Sequence, residues 1–268
     1  MRRISVVIPT YNRAGSIQGA IESVLVQTYP VYEVIVADDC SQDNTEEVVN
    51  GIGDDRVHYY RLPENKGAGG ARNFGVRKAE CEFIAFHDSD DAWVPTKLEK
   101  QMAYYEEHLE CGLVYSAYEM QLPYNIRHVV PDLSRGKSLE GDIFAPLLLQ
   151  NTIGAPTVVM PKRVFEEVGG FDEGMRSLED WDFALKVAGK YPIGFVPEVL
   201  LKVASSAGGV SSNLGAYYQN RCYMLRKYRA EYLEMNLFNS AVQDILEKAK
   251  RDNLLPQVEK LMMAYMSK

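Results

Sequence analysis

The sequence predicts an α/β protein built on a mostly parallel sheet with helices on both faces. In the first third of the chain, short unbroken apolar runs alternate with amphipathic stretches. Strands buried on both faces read this way because neither side of the sheet meets water. Each run also ends in a polar cluster, and in open α/β sheets ligands sit outside the carboxyl ends of the strands. Beyond residue 213 the pattern turns wholly helical.

Ile4 to Ile8 is a β-branched run stopped by Pro9. Ser16 to Gln27 carries Ile17, Ala20, Ile21, Val24 and Leu25 at helical spacing, which forms one apolar stripe. Val34 to Ala37 reads as a second strand, followed by the polar loop Asp38 to Asn44 and a short helix from Thr45 to Ile52. Val57 to Tyr60 gives a third strand, and a glycine-rich turn then leads into a helix starting near Ala71. Phe83 to Phe86 is a fourth strand running into Asp88-Ser89-Asp90-Asp91, and Pro95 suits the first turn of a helix reaching about His108. Leu113 to Tyr118 reads as a strand, Leu122 to Gly141 as a loop or hairpin, and Ile143 to Leu149 as a short helix. Val158 to Met160 is another strand, and Lys162 to Val168 is a helix stopped by Gly169-Gly170. Tyr217 to Tyr232, Leu237 to Arg251 and Leu254 to Tyr265 form a helical tail.

A chain of 268 residues, 46% hydrophobic and 25% charged, can bury one core without disulfide staples. Cys40, Cys81, Cys111 and Cys222 are scattered with no CxxC pair, so reduced thiols are expected. The net charge of −8 argues against a nucleic-acid partner, which would need a basic surface. Arg2 and Arg3 precede only a short apolar run, so a leader peptide is not expected, and no stretch approaches the ~20 apolar residues of a membrane span. A cytoplasmic protein follows, with peripheral contact at the inner face of the membrane left open.

Asp88-Ser89-Asp90-Asp91 is the sharpest motif. Three carboxylates in four residues repel unless a cation or strong donors neutralise them, and oxygen ligands suit Mg²⁺ or Mn²⁺ completed by water and phosphates. The bland reading is a solvated acidic turn ahead of Pro95. Asp38-Asp39 could bind a base imide or a ribose hydroxyl, or could simply cap a turn with Ser41 and Asp43. Tyr11 could lie flat against a base, or only pack. Asn65 to Asn73 offers backbone N–H groups, with Lys66 and Arg72, to a diphosphate, but it matches neither a P-loop nor GxGxxG. In Glu179-Asp180-Trp181-Asp182, one carboxylate could be a general base or a helix cap. His58, His87, His108 and His128 show no metal-ligand spacing, and His87 is expected to face away from Asp88.

In combination these segments resemble the family-2 glycosyltransferases. The matching pieces are Ser5 to Arg13, Val36 to Thr45, Asn65 to Gly67 with Ala71 to Asn73, Asp88 to Asp91, Gly169 to Asp172 and Glu179 to Asp182. The resemblance covers about Ile4 to Val203 and implies a GT-A fold: a mixed, mostly parallel sheet flanked by helices, followed by a C-terminal helical extension. Residues 1–212 would be the catalytic domain and 213–268 the extension, which either caps the core or forms a homodimer interface.

The resemblance further implies an inverting, metal-dependent transfer from a nucleotide-diphosphate sugar, uridine being the expected base, to a hydroxyl of a glycan, glycolipid or glycoprotein. Pro9, Tyr11 and Asp39 would hold the base, with Asp38 and Arg72 nearby and Asn12 and Asn65 in the same loops. Asp88 would face the ribose or the donor sugar, Asp90 would coordinate Mn²⁺ or Mg²⁺, and Asp180 would be the catalytic base, flanked by the substrate-binding Glu179 and Trp181. Many relatives add a metal-binding His after the strand equivalent to Val199 to Val203, where this chain has Lys202 to Ser212 and no His. The Gln-x-x-Arg-Trp segment of processive synthases is also absent, which favours single transfers. Two other classes compete. A sugar-phosphate nucleotidyltransferase would want a basic glycine-rich signature after the first strand, where Pro9-Thr10-Tyr11-Asn12 stands instead. A non-catalytic nucleotide-sugar-binding scaffold would not need both Asp90 and Asp180.

Overall fold

A computed structural model of the protein describes residues 2–122, 126–203 and 213–266. The first half alternates β1 (Ile4–Thr10), α1 (Ile17–Leu25), β2 (Glu33–Asp38), α2 (Thr45–Asn50), β3 (Val57–Arg61), α3 (Gly67–Lys78) and β4 (Phe83–Phe86). There follow β5 (Ala92–Trp93), α4 (Lys97–Glu107), the hairpin β6 (Leu113–Leu122) and β7 (Ile126–Val130), then α5 (Phe144–Leu149), β8 (Val159–Pro161) and α6 (Lys162–Glu167). The chain closes with α7 (Glu179–Ala188), β9 (Ile193–Val203), α8 (Leu214–Lys227), α9 (Arg229–Glu234), α10 (Phe238–Arg251) and α11 (Leu255–Met266).

Among the described residues nine strands join one sheet, in the order β3-β2-β1-β4-β8-β6-β9-β5, with β7 pairing on β6. Strands β1 to β4 run parallel, as do β6 and β9, while β8 is antiparallel to both β4 and β6. The sheet is therefore mixed, as the resemblance implies. Alternation along β1 divides the core into two layers. Val6 and Ile8 face α1 and α4 residues such as Ile21 and Met102, whereas Val7 faces the layer holding Phe171, Phe183 and Trp181. Register aligns the strand ends that matter: Thr10 lies opposite Asp38, and Asp38 opposite Arg61.

Three local outcomes differ from the sequence reading or sharpen it. Helix α3 starts at Gly67 rather than near Ala71, so the glycine-rich stretch is its first turn. Close approach explains this: a Cβ on Gly69 would lie 3.2 Å from Phe171 and 3.3 Å from Glu179, and one on Gly75 would lie 2.4 Å from Val7. In the stretch from Leu122 to Gly141, read as loop or hairpin, Ile126–Val130 pairs antiparallel with the end of β6, Leu122 opposite Ile126 and Tyr118 opposite Val130, so its first part is a hairpin arm. The stretch Tyr217 to Tyr232 is broken at Tyr228 into α8 and α9. Cys40, Cys81, Cys111 and Cys222 are all free thiols. Among the described residues no helix is long and apolar enough to cross a membrane. Of the segment noted for its missing His, Lys202 and Val203 end β9, and 204–212 lies outside the described residues.

Candidate active site

The ends of β1 to β4 are tied together by side chains rather than merely set side by side. Asp39 N–H donates to the Thr10 carbonyl at 2.8 Å, Asn12 N–H to Ser41 Oγ at 2.8 Å, and Gln42 N–H to Asn12 Oδ1 at 2.7 Å. Asn12 and Cys40 both take left-handed backbones, with φ of 52° and 70°. Asparagine tolerates that region because its short amide bonds locally. Pro9 is buried beneath this loop, and Tyr11 stands out beside it with 44% of its surface exposed.

Asp38 and Asp39 have different tasks. Asp38 is fully buried and accepts Ser41 N–H at 2.6 Å and Tyr59 O–H at 2.8 Å, so it shapes the loop from below. Asp39 accepts the backbone N–H groups of Lys66 at 2.6 Å and Gly67 at 2.8 Å, which joins the second strand's loop to the start of α3. Burial lifts Asp39 above the usual carboxylate range, although those two N–H groups and Arg176 pull the other way. Asn65 is exposed; its amide donates to the Asp39 carbonyl at 3.0 Å and its oxygen accepts from Arg176 at 3.2 Å.

Arg72 is the hub of the other side. Only 4% exposed, it donates to Asp88 Oδ1 at 2.7 Å and to Glu179 Oε1 at 2.9 Å, and it lies 5.4 Å from the centre of the Phe171 ring. Desolvation opposes its charge, but Asp88 and then Glu179 outweigh this and raise its pKa above the ordinary arginine value. One buried guanidinium thus brings α3, the β4 loop and α7 together, residues 107 positions apart in the chain. Asp180 sits partly exposed at the start of α7, and its Oδ1 accepts its neighbour's Trp181 N–H at 2.7 Å. Desolvation, followed by the adjacent Glu179 charge, pushes its carboxyl up to about 7. A carboxylate so placed can hold or release a proton near neutrality. Trp181 turns the opposite way: it is buried in the core, and its indole N–H donates to the Leu147 carbonyl at 2.6 Å.

Asp90 is partly exposed and pairs with Arg13 at 3.3 Å. Asp91 is only 6% exposed. His87 is buried on the other side, its ring tilted 40° against Trp93 at 4.6 Å, with Nε2 against Ser23 Oγ at 3.2 Å, and desolvation pushes its pKa down to about 3. Among the described residues no three His, Cys, Asp or Glu side chains form a closed metal cage. The oxygen donors on this turn are the Asp88 and Asp90 carboxylates. One or two carboxylates at a cleft mouth fit Mg²⁺ or Mn²⁺, which take their remaining ligands from phosphates and water.

The structure links Asn12, Asp39 and Asn65 through hydrogen bonds between the loops after β1, β2 and β3, sets Asp180 beside the Arg72–Asp88–Glu179 cluster, leaves Tyr11 exposed and Asp90 paired with Arg13, and buries Pro9, Asp38 and Trp181. Four contributors were given no role in the sequence analysis. Arg13 and Arg176 are cations beside Asp90 and Asp39. Asn73 clasps the Phe171 backbone through both amide atoms. Tyr118 on β6 feels Asp180 and Asp91, and after burial these two charges account for its pKa being pushed up to about 12. Arg13 and Asn73 each close a segment already recognised and could have been singled out; Tyr118 carried no local signal.

The model of glycosyl transferase family 2 matches residues 5–169, which is more than half of the chain. An uncharacterized glycosyltransferase of Rickettsia typhi is 33% identical over 202 residues, covering 74% of this chain and 63% of its own. The chain spans between 28% and 63% of the length of curated relatives it matches. Among solved structures, residues 1–349 of S. aureus TarS with UDP-GlcNAc superpose with a TM-score of 0.71 at 19% identity, covering 99% of this chain and 92% of that one. The Pyrobaculum calidifontis mannosyltransferase PcManGT, solved with GDP-Man and Mn2+, gives a TM-score of 0.66 at 20% identity over 99% of this chain and 75% of its own. The fold is accordingly GT-A, and the chain belongs to glycosyltransferase family 2.

Proposed function

We propose that the protein transfers a sugar, with inversion, from a nucleotide-diphosphate donor to an acceptor hydroxyl, and that Asp180 is the base that takes the acceptor's proton. One observation carries this reading: the Asp180 carboxyl, pushed up to about 7, is partly exposed next to the Arg72–Asp88–Glu179 cluster. The donor's base lies on the Asp39 side, with Tyr11 over it, and uracil is the base proposed. TarS, which shares the fold, holds UDP-GlcNAc, and PcManGT holds GDP-Man with Mn2+. The acceptor is a hydroxyl of a glycan, glycolipid or glycoprotein.

The roles follow from charge. Arg72 stays cationic and fixes Asp88 toward the ribose or sugar. Asp180 in its ionised form accepts the hydroxyl proton as the acceptor oxygen approaches the anomeric carbon, opposite the departing diphosphate. Asp90, with Asp88 beside it, would hold a divalent ion, Mn²⁺ or Mg²⁺, which supplies positive charge to the leaving diphosphate. Asp38 and Trp181 support the walls from behind.

Asp180→Asn is the direct test. Loss of a general base lowers turnover by about 10²–10⁴-fold, while UDP affinity, measured by calorimetry, stays close to that of the native chain. Near-normal turnover in this variant removes Asp180 from the mechanism.

A further inference from the structure

We infer that helix α8 of the C-terminal extension is a positioning element for Asp180, with Lys227 as its key positioning residue; this rests on the assignment of Asp180 as the base. Apart from its bond to the adjacent Trp181 N–H, Asp180 is placed by the turn that carries it. That turn begins at Leu178, whose φ of 61° is left-handed. A branched, bulky residue does not hold such a backbone unless its surroundings impose it.

The imposing contacts come from α8. Asn220 donates to the Ser177 carbonyl at 2.8 Å, just before the strained residue. Arg221, 1% exposed, stacks 4.2 Å over Trp181, just after the base. Asp182, fully buried, is met by Lys227 Nζ at 2.7 Å and by the Tyr228 hydroxyl, just past the helix end, at 2.9 Å, while Lys186 of its own helix α7 reaches its other oxygen at 3.2 Å. Lys227 also reaches Asp172 at 3.0 Å. The extension therefore grips the chain at 177, 181 and 182, on both sides of residue 180.

These contacts carry a directional argument. A buried carboxylate needs a cation or donors, so Asp182 cannot shift without leaving Lys227 and Tyr228. Asp182 lies in the first turn of α7, two residues from Asp180, and a displacement there moves the base directly. General-base catalysis is sensitive to errors of an ångström. The Asp39 loop receives none of these α8 contacts; Asp172, the second partner of Lys227, is flanked by Phe171 and Glu173, which Asn73 of α3 bonds. The family match ends at residue 169, before all of them, so the support comes from this chain's own later segments.

The test uses the full chain with Lys227→Met and Lys227→Arg. Three quantities are measured: UDP affinity with Mn²⁺ by calorimetry, UDP release from UDP-glucose and UDP-GlcNAc, and hydrogen exchange by mass spectrometry. Lys227→Met is expected to lower kcat by about 10–100-fold at similar KM, with UDP affinity unchanged and exchange raised at 177–183 but not at 36–45. Lys227→Arg is expected to restore most of the rate. Unchanged kcat in Lys227→Met, or UDP affinity falling in parallel with kcat, overturns the inference. If the native chain releases UDP from neither donor, the proposed transfer fails for those donors and exchange alone decides. Local exchange confined to 177–183 then supports the inference, and unchanged or uniformly raised exchange overturns it. Should Lys227→Met not fold, Tyr228→Phe, which removes only a hydroxyl from Asp182, is read in the same way.

Discussion

At the scale of single residues, the carboxyl of Asp180 sets a pH dependence. It must be ionised to accept a proton, and its pKa is pushed up to about 7. The expected kcat/KM therefore falls about tenfold per pH unit below that value and levels off above it. A profile flat down to pH 5 would contradict the role. Stability moves in the opposite direction. The folded pKa stands above the unfolded value, so the stabilising contribution is complete below about 3.8 and is lost as pH rises toward 7. Asp180→Asn should accordingly raise the melting temperature at pH 8 and change it little at pH 4, as differential scanning calorimetry can check.

Arg72 belongs to the same scale. Removing it as Arg72→Met leaves Glu179 nearly buried without its cation, and breaking such a pair costs about 3–5 kcal/mol. Urea titration reads this as a fall in midpoint with unchanged slope; a shift under 1 kcal/mol would show that Glu179 finds another partner.

At the scale of elements, α3 shows how glycines can build a helix when a neighbour must come close. A Cβ at position 75 would meet Val7 Cγ1 at 2.4 Å, inside the contact between α3 and β1. Gly75→Ala is therefore expected to destabilise by about 1–3 kcal/mol despite alanine's better helix propensity. A neutral or stabilising result in denaturant unfolding would mean that β1 yields easily.

The same helix marks the limit of sequence reading. Glycines at 67, 69 and 70 signal a turn locally, whereas the close approaches of Arg176 to Gly67 and of Phe171 and Glu179 to Gly69 come from about a hundred residues away. Strands β1, β2 and β4 were legible because burial on both faces leaves continuous apolar runs, whereas β3, at the sheet edge and partly exposed throughout, had only a short Val57 to Tyr60 run to mark it. The break at Tyr228 was not, because it accompanies that hydroxyl's bond to buried Asp182.

At the scale of the whole molecule, the polar clusters after the four strands were readable as lying at one end of the sheet because parallel strands must end on one side. Their coupling was not readable. Arg72 joining Asp88 to Glu179, and Arg13 facing Asp90, are tertiary facts with no local pattern. Trp181 shows the converse: its place in a recognised motif suggested substrate, whereas its packing against Arg221 and Leu147 places it in the core.

The cleft as a whole should be a nucleotide site whose strength depends on a divalent ion. A saturating ligand at 100 times its Kd adds about 2.7 kcal/mol to stability, so UDP with Mn²⁺ should raise the melting temperature, and EDTA should abolish the rise. The most direct measurement is calorimetric titration of UDP into the protein with Mn²⁺, repeated with Asp39→Ala and with Asp90→Ala. One-to-one binding in the native chain, weakened by either substitution although the two residues lie on different loops, is the result expected. Equal affinity in all three proteins, or no binding of UDP with the metal present, would contradict a donor site spanning Asp39 and Asp90.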